Sequence, residues 1–246
     1  MTENSAREQG LASLAALEQF DAMLTEFDRI EDFDASFGVE TSSPVEPWEI
    51  DEADDRTLKN NSRYSPTPVR TIREAIAASP LGHKDMSFVD FGSGKGRALL
   101  VASEFPFSKV IGIEFSRALC DIAQNNIDRY RGARQCGAVE VHCQSAESYS
   151  IPDDASFFYF YEPFSATVAQ MVLHHIEASL EHCPRPAVVC MVGRSLLPTI
   201  DARSHWRQLG ETLKSPDDSY FDTRFFTYEV GAAGHSASNS RVPQER

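Results

Sequence analysis

The sequence predicts an α/β fold built on a doubly wound, mostly parallel sheet. Two observations carry this expectation. From Tyr64 onward, short runs rich in β-branched and aromatic residues alternate with helical patterns of 10–17 residues, the signature of βαβ units. The first of these runs, 86–91, passes directly into a loop with glycine at 92, 94 and 96, and a helical pattern starts at once behind it.

The elements follow in order. In residues 11–30, Leu11, Leu14, Leu17, Phe20, Leu24, Phe27 and Ile30 recur at steps of three and four. They form one stripe of an amphipathic helix, with Glu18, Asp21, Glu26 and Asp28 mostly off it. The stripe either packs on the main domain or serves as a lid or partner-binding helix. Residues 31–63 are acidic, contain Pro44 and Pro47 and show little periodicity, so they read as an irregular arm anchored by Trp48. Thr67-Pro68 is a helix start, with Thr67 as N-cap and Pro68 at the first helical position. Val69, Ile72 and Ile76 form the apolar face, and Ser79-Pro80 ends the helix. Strands are expected at 86–91, 109–115, 138–143, within 156–164 and at 187–193. Helices at 96–105, 117–130 and 167–183 separate them, and strands at 206–214 and 224–230 come last. Residues 231–246 are Gly/Ser-rich and polar and are expected to be disordered. The chain thus divides into an acidic leader and arm (1–63), a ligand-binding domain (64–230) and a tail (231–246).

Charge sharpens that division. The 246 residues carry a net charge of −14, yet residues 1–56 hold 16 acids against Arg7, Arg29 and Arg56. The body is therefore close to neutral. An acidic chain is a poor partner for phosphate backbones, so nucleic acid is not the expected ligand. The leader itself reads as a lid, a docking surface for a basic partner, or a device that repels nucleic acid. Five cysteines without a C-x-x-C pair argue against a zinc knuckle or a disulfide framework. The N-terminus lacks a secretory h-region and no apolar run approaches the ~18 residues of a membrane span. A reducing, cytoplasmic location is the expectation.

The densest chemical signal is Val89-Asp90-Phe91-Gly92-Ser93-Gly94-Lys95-Gly96-Arg97. Glycines let the backbone approach a ligand closely, and the helix behind them offers unpaired N–H groups. A dinucleotide G-x-G-x-x-G would need glycine at 97, where Arg97 stands, and no Walker A sequence occurs. The G-x-G-x-G after an acid resembles motif I of class I S-adenosyl-L-methionine (AdoMet) methyltransferases. Phe33-Asp34, Phe37-Gly38-Val39-Glu40-Thr41 and Tyr64-Ser65-Pro66-Thr67-Pro68 extend the likeness. Together they resemble a bacterial family of such enzymes whose acceptor is not generally assigned, over roughly residues 27–230.

The resemblance implies a seven-stranded sheet of the class I methyltransferase type with an N-terminal helical extension, AdoMet as cofactor, and a set of site residues. Asp90, Gly92, Gly94 and Gly96 form the cofactor loop. Glu114, at the end of the second strand, matches the ribose-binding acid, against the alternative of a solvated strand-end glutamate. Phe115 would pack on the adenine. Ser145 stands where the family often has an acid facing the adenine amino group, a departure that leaves only a neutral hydrogen bond. Tyr64 and Thr67 match a Tyr-x-x-Thr element, also found in disruptor-of-silencing-type lysine methyltransferases, that closes over the methionine end. Lys95 is either near the cofactor carboxylate or solvated. Glu162, in Tyr161-Glu162-Pro163-Phe164, occupies the place of the motif IV asparagine or aspartate that holds the acceptor nitrogen. There it would act as an acceptor or base, or simply end a strand. His174 and His175 are adjacent on a helix and point apart, so no metal is expected. The implied activity is methyl transfer by in-line displacement to an N or O nucleophile of a small molecule or protein. A non-catalytic AdoMet-binding protein is the alternative, and a nucleotide-binding oxidoreductase is disfavoured by Arg97.

Overall fold

The structure, a computed structural model, describes residues 3–50, 60, 62–215 and 218–229. The expected tail at 231–246 and the acids at 51–55 lie outside those residues, as do the side chains of Leu11 and Leu14. A long helix α1 (Glu3–Glu31) and a single-turn α2 (Phe33–Phe37) precede α3 (Val69–Ala77). Then come β1 (Ser87–Phe91), α4 (Arg97–Ala102), β2 (Lys109–Glu114), α5 (Arg117–Arg129), β3 (Val139–Cys143) and β4 (Ala155–Tyr161). The chain continues through α6 (Ala166–His182), β5 (Val188–Val192), α7 (Leu197–Asp201), β6 (Trp206–Leu213) and β7 (Thr223–Tyr228).

The seven strands form one sheet in the order β3-β2-β1-β4-β5-β7-β6. All neighbours from β3 to β5 are parallel, and β7 inserts antiparallel to both β5 and β6. This is the doubly wound, mostly parallel, seven-stranded sheet expected. The strand order reverses between β1 and β4, the switch point where such sheets open a crevice at their carboxyl ends. Alternate residues of the central strands enter opposite cores. Val89, Phe91, Phe158 and Phe160 pack under α6 on one face. Phe88, Phe157, Tyr159 and Val188 pack with α3 and α4 on the other. Burial on both faces explains the near-continuous apolar runs. Ser116 and Ser165 cap α5 and α6 by accepting from Leu119 N and Val168 N. All five cysteines are free, and no helix among the described residues is long and apolar enough to cross a membrane.

Two local expectations are corrected. Helix α3 begins at Val69, not Pro68, and Thr67 does not cap it. The cap comes from α1: Val69 N and Arg70 N donate to the two oxygens of Glu31, at 2.7 and 2.6 Å. A carboxylate at a helix N-terminus is favoured over a hydroxyl by charge and dipole. Trp48 is not an anchor either, being 72% exposed on a 3-10 turn, while Ile50 beside it is buried.

The leader lies on the body. Leu24 is buried, with Phe20, Met23 and Phe27 partly buried against the α3/α4 core, although Ile30 points outward. The strongest tie is polar. Arg97, buried at the start of α4, donates from Nη1 to Asp28 (2.5 Å), from Nε to Thr41 Oγ1 (2.8 Å) and from Nη2 to Ser42 Oγ (2.8 Å). Asp34 accepts from Thr41 N, Thr41 Oγ1 and Ser42 N at 2.6–2.8 Å and shapes this socket. Lys95 donates to Glu40 at 2.6 Å, and Asn126 bonds both Glu40 and the Lys95 carbonyl. Lys95 is thus buried in the leader contact, neither solvated nor in the crevice. Removing one partner of a buried ion pair leaves the other uncompensated. Arg97→Met is therefore expected to lower stability by about 3–5 kcal/mol in urea unfolding, and to expose residues 31–50 to limited proteolysis.

Candidate functional site

The turn after β1 is tied to the end of β2: Gly92 N and Ser93 N both donate to the Ile113 carbonyl, at 2.8 and 3.1 Å. Two of its glycines are required by space as well as by backbone. Gly94 has φ +52, and a Cβ there would lie 2.2 Å from the Tyr64 ring. Gly92 has φ +79, and its Cβ would lie 2.5 Å from Pro163 Cβ. The loop is therefore clasped by the Tyr64 arm on one side and the turn after β4 on the other. Gly96 sits behind it as the N-cap of α4.

Glu114 ends β2 in a buried position. Its carboxylate accepts from Gly94 N and Ser116 N, both at 2.9 Å, so the loop and the strand end are locked together. Asp90, on β1, is also buried. Desolvation, assisted by the charge of Glu114, pushes its pKa up to about 8. Tyr64 donates its hydroxyl to the Thr41 carbonyl (2.7 Å), and burial raises its pKa.

A cleft of about 1090 Å³ opens at the carboxyl ends of the strands. It is lined by Tyr64, Thr67, Asp90, Gly92, Gly94, Glu114, Phe115, Ser145 and Glu162, which is every expected site residue except Gly96. Several lining residues hold buried polar atoms without a hydrogen-bond partner: Ser65 Oγ, Ser93 Oγ and Arg63 Nε. Such atoms are costly unless a ligand or water meets them. Phe20 of α1, Arg63, Tyr161 and Tyr220 also line the cleft. Tyr161 stands beside Glu162 in the Tyr161-Glu162-Pro163-Phe164 motif, but Phe20, Arg63 and Tyr220 carry no motif or spacing that would have announced them. The histidine pair on α6 stands away from this lining, and no group of metal-ligating side chains occurs among the described residues.

Glu162 is held in a strained state. Its φ of +43 is left-handed, uncommon for a residue with a long side chain. Its Oε1 accepts from the backbone N–H of Ser195 (2.7 Å) and of Arg194. The carboxylate therefore organises the turn after β5, while the residue also lines the cleft. Tyr220 stands near it, and burial together with the Glu162 charge pushes that phenol up to about 12. Asn60 and Ser62 bond the Pro163–Ser165 turn, so the arm is fastened beside Glu162.

No protein-family model and no curated sequence matches the chain. Solved structures do resemble it. An RNA methyltransferase from Salinibacter ruber in complex with S-adenosyl-L-homocysteine is 17% identical, with a TM-score of 0.45 over 73% of this chain and 97% of that one. An S-adenosylmethionine-dependent methyltransferase from Leishmania major is 14% identical, with a TM-score of 0.45 over 65% and 71%. A ribosomal protein L11 methylase from Lactobacillus delbrueckii subsp. bulgaricus is 13% identical, with a TM-score of 0.43 over 65% and 78%. These are likenesses of chain path at low identity.

Two outcomes follow from the loop and from Asp90. Gly94→Ala is expected to cost about 2 kcal/mol or more, from the left-handed backbone and the clash with Tyr64. Adding Tyr64→Ala should recover the steric part, read as favourable coupling in a double-mutant cycle. For Asp90, the folded pKa of about 8 exceeds the unfolded value of 3.8. Between those values the native state holds a proton that the unfolded chain has lost. Stability therefore falls as pH rises through that window, by at most about 1.4 kcal/mol per pH unit. Asp90→Asn should flatten that slope in denaturant titrations at pH 5 to 8.

Proposed function

We propose that this protein is an AdoMet-dependent methyltransferase acting on a nitrogen or oxygen nucleophile. One observation carries the reading. At the topological switch point, a glycine turn after β1 and a buried carboxylate ending β2 are bonded to each other and line one cleft. That pairing suits a ligand with a ribose to be held and a charged tail to be cradled near the loop.

The residues present fit AdoMet on several counts. Glu114, oriented by two backbone amides, would receive the ribose hydroxyls. Phe115 and Ser145 would border the adenine, with a neutral contact from Ser145. Asp90 and the Gly92–Gly94 turn would face the methionine end, with Tyr64 and Thr67 closing over it. Ser65 Oγ and Ser93 Oγ offer hydrogen bonds that the protein itself leaves unmade. Bound AdoMet supplies an electrophilic methyl on a sulfonium with its own leaving group, so no protein nucleophile is needed. The chain's share is to position the two reactants, exclude water and manage the acceptor's proton.

The alternative of a non-catalytic AdoMet-binding protein gains one specific support, since Glu162 already accepts two backbone N–H groups. The oxidoreductase reading loses ground, because the residue at the third glycine position, Arg97, is buried in the leader contact.

Calorimetric titration separates these readings. S-adenosyl-L-homocysteine is expected to bind with one-to-one stoichiometry and NAD not at all. Glu114→Ala should weaken the former at least about ten-fold, the loss of roughly one charge-assisted hydrogen bond. No binding of S-adenosyl-L-homocysteine would sink both AdoMet readings. Methyl incorporation from labelled AdoMet into a cell lysate then decides between enzyme and binding protein.

A further inference from the structure

The cleft has a second half whose charge and shape define what can enter it. Resting on the methyltransferase reading, we propose that the acceptor is a small amine, bound as its cation and carrying an apolar or aromatic body. In sheet order, Glu114 and Ser145 lie on the β2/β3 side of β1. Tyr161, Glu162 and Tyr220 lie on the side of β4, β5 and β7. A cavity of about 1090 Å³ is at the upper end for one small ligand, typically ~300–1000 Å³. The β4 side therefore has room for a second molecule.

Charge selects the class. On the β4 side the lining carries the carboxylate of Glu162, while Glu114 and Glu147 lie on the cofactor side and Asp90 is held protonated by its burial; the lining guanidiniums are Arg63 and Arg97. Each guanidinium is already paired with leader carboxylates, although Arg63 Nε keeps an unmet N–H. Arg97 pairs with Asp28, and Arg63 lies 2.7 Å from Asp21 and 3.3 Å from Glu46. A cation entering this half would meet the carboxylate of Glu162, and an anion would be repelled by it.

Shape selects within the class. The Phe20 and Tyr220 rings meet edge to face at 4.9 Å, and Tyr220 meets Tyr161 at 6.4 Å. All three rings line the cleft, Tyr161 and Tyr220 lie close enough to Glu162 to feel its charge, and aromatic rings attract an ammonium. Phe20 and Phe27 also rest on Phe221, at 6.2 and 6.1 Å. Helix α1 thereby spans from the leader to the segment before β7 and walls this half, which favours a small molecule over a polymer chain.

Glu162, oriented through Oε1 by the Arg194 and Ser195 amides, receives the ammonium and takes one of its protons. The freed nitrogen lone pair forms the new C–N bond as the C–S bond of the sulfonium breaks. The products are a methylated ammonium and a neutral thioether, and Glu162 returns its proton to water.

The test titrates the full chain, loaded with S-adenosyl-L-homocysteine, with 2-phenylethylamine, 2-phenylethanol and 3-phenylpropionate. The amine is expected to bind at least ten-fold more tightly than the alcohol, and the carboxylate not measurably. Glu162→Gln keeps an oxygen for the two amides, so its melting temperature should stay near that of the parent while the preference for the amine is lost. Equal binding of amine and carboxylate overturns the proposal, as does a preference untouched by Glu162→Gln. A lysine peptide that outcompetes 2-phenylethylamine overturns the small-molecule assignment. Failure of S-adenosyl-L-homocysteine to bind would instead remove the methyltransferase reading itself.

Discussion

The guanidinium of Arg97 sits where the glycine turn becomes α4, and three parts of the chain converge on it. It is almost fully buried, so it must find partners for its charge and its N–H groups or the native state would be severely penalised. Asp28 of α1, and Thr41 and Ser42 of the arm, supply them, with Asp34 holding the arm in shape. The Thr41 carbonyl in turn receives the Tyr64 hydroxyl, and the Tyr64 ring covers Gly94. The geometry of the cleft floor therefore depends on a buried charge whose counter-charges lie more than fifty residues upstream.

That dependence changes the meaning of the acidic leader. Asp28, Asp34 and Glu40 face Arg97 and Lys95, Asp21 and Glu46 face Arg63, and Glu31 caps α3. Much of the negative charge among the described leader residues is turned inward as bonds, not outward as a field for a basic partner. The motifs around Phe33–Thr41 and Tyr64–Pro68 are the two ends of this bonding pattern. Asp34, Glu40, Thr41 and Tyr64 are the polar residues of these motifs that join it.

Backbone strain and buried charge concentrate around the cleft. Glu162 is left-handed, Asp90 is buried beside another carboxylate, and several hydroxyls lack partners. Each raises the energy of the fold, and each would be relieved or used by a ligand. The core shows the opposite pattern. Its central strands are apolar on both faces, and α3, α5 and α6 carry side-chain caps.

The strand and helix order, the glycine turn and the acid at the end of the second strand were legible in the sequence because they rest on local signals. Burial of a strand on both faces leaves an unbroken apolar run, a left-handed turn demands glycine, and a parallel pair needs a helix between its strands. Residues set by distant partners were not legible. Glu31 displaced Thr67 as a helix cap, Ile50 took the anchoring place expected of Trp48, and Glu162 was found bound to the turn after β5. Tyr220, Phe20 and Arg63 joined the cleft without any spacing that announces them. The sequence by itself determined the sheet and the loop, because period and glycine content are properties of neighbours along the chain. Only the tertiary structure decided which acids pair inward and which rings surround Glu162, because burial and charge pairing depend on distance in space.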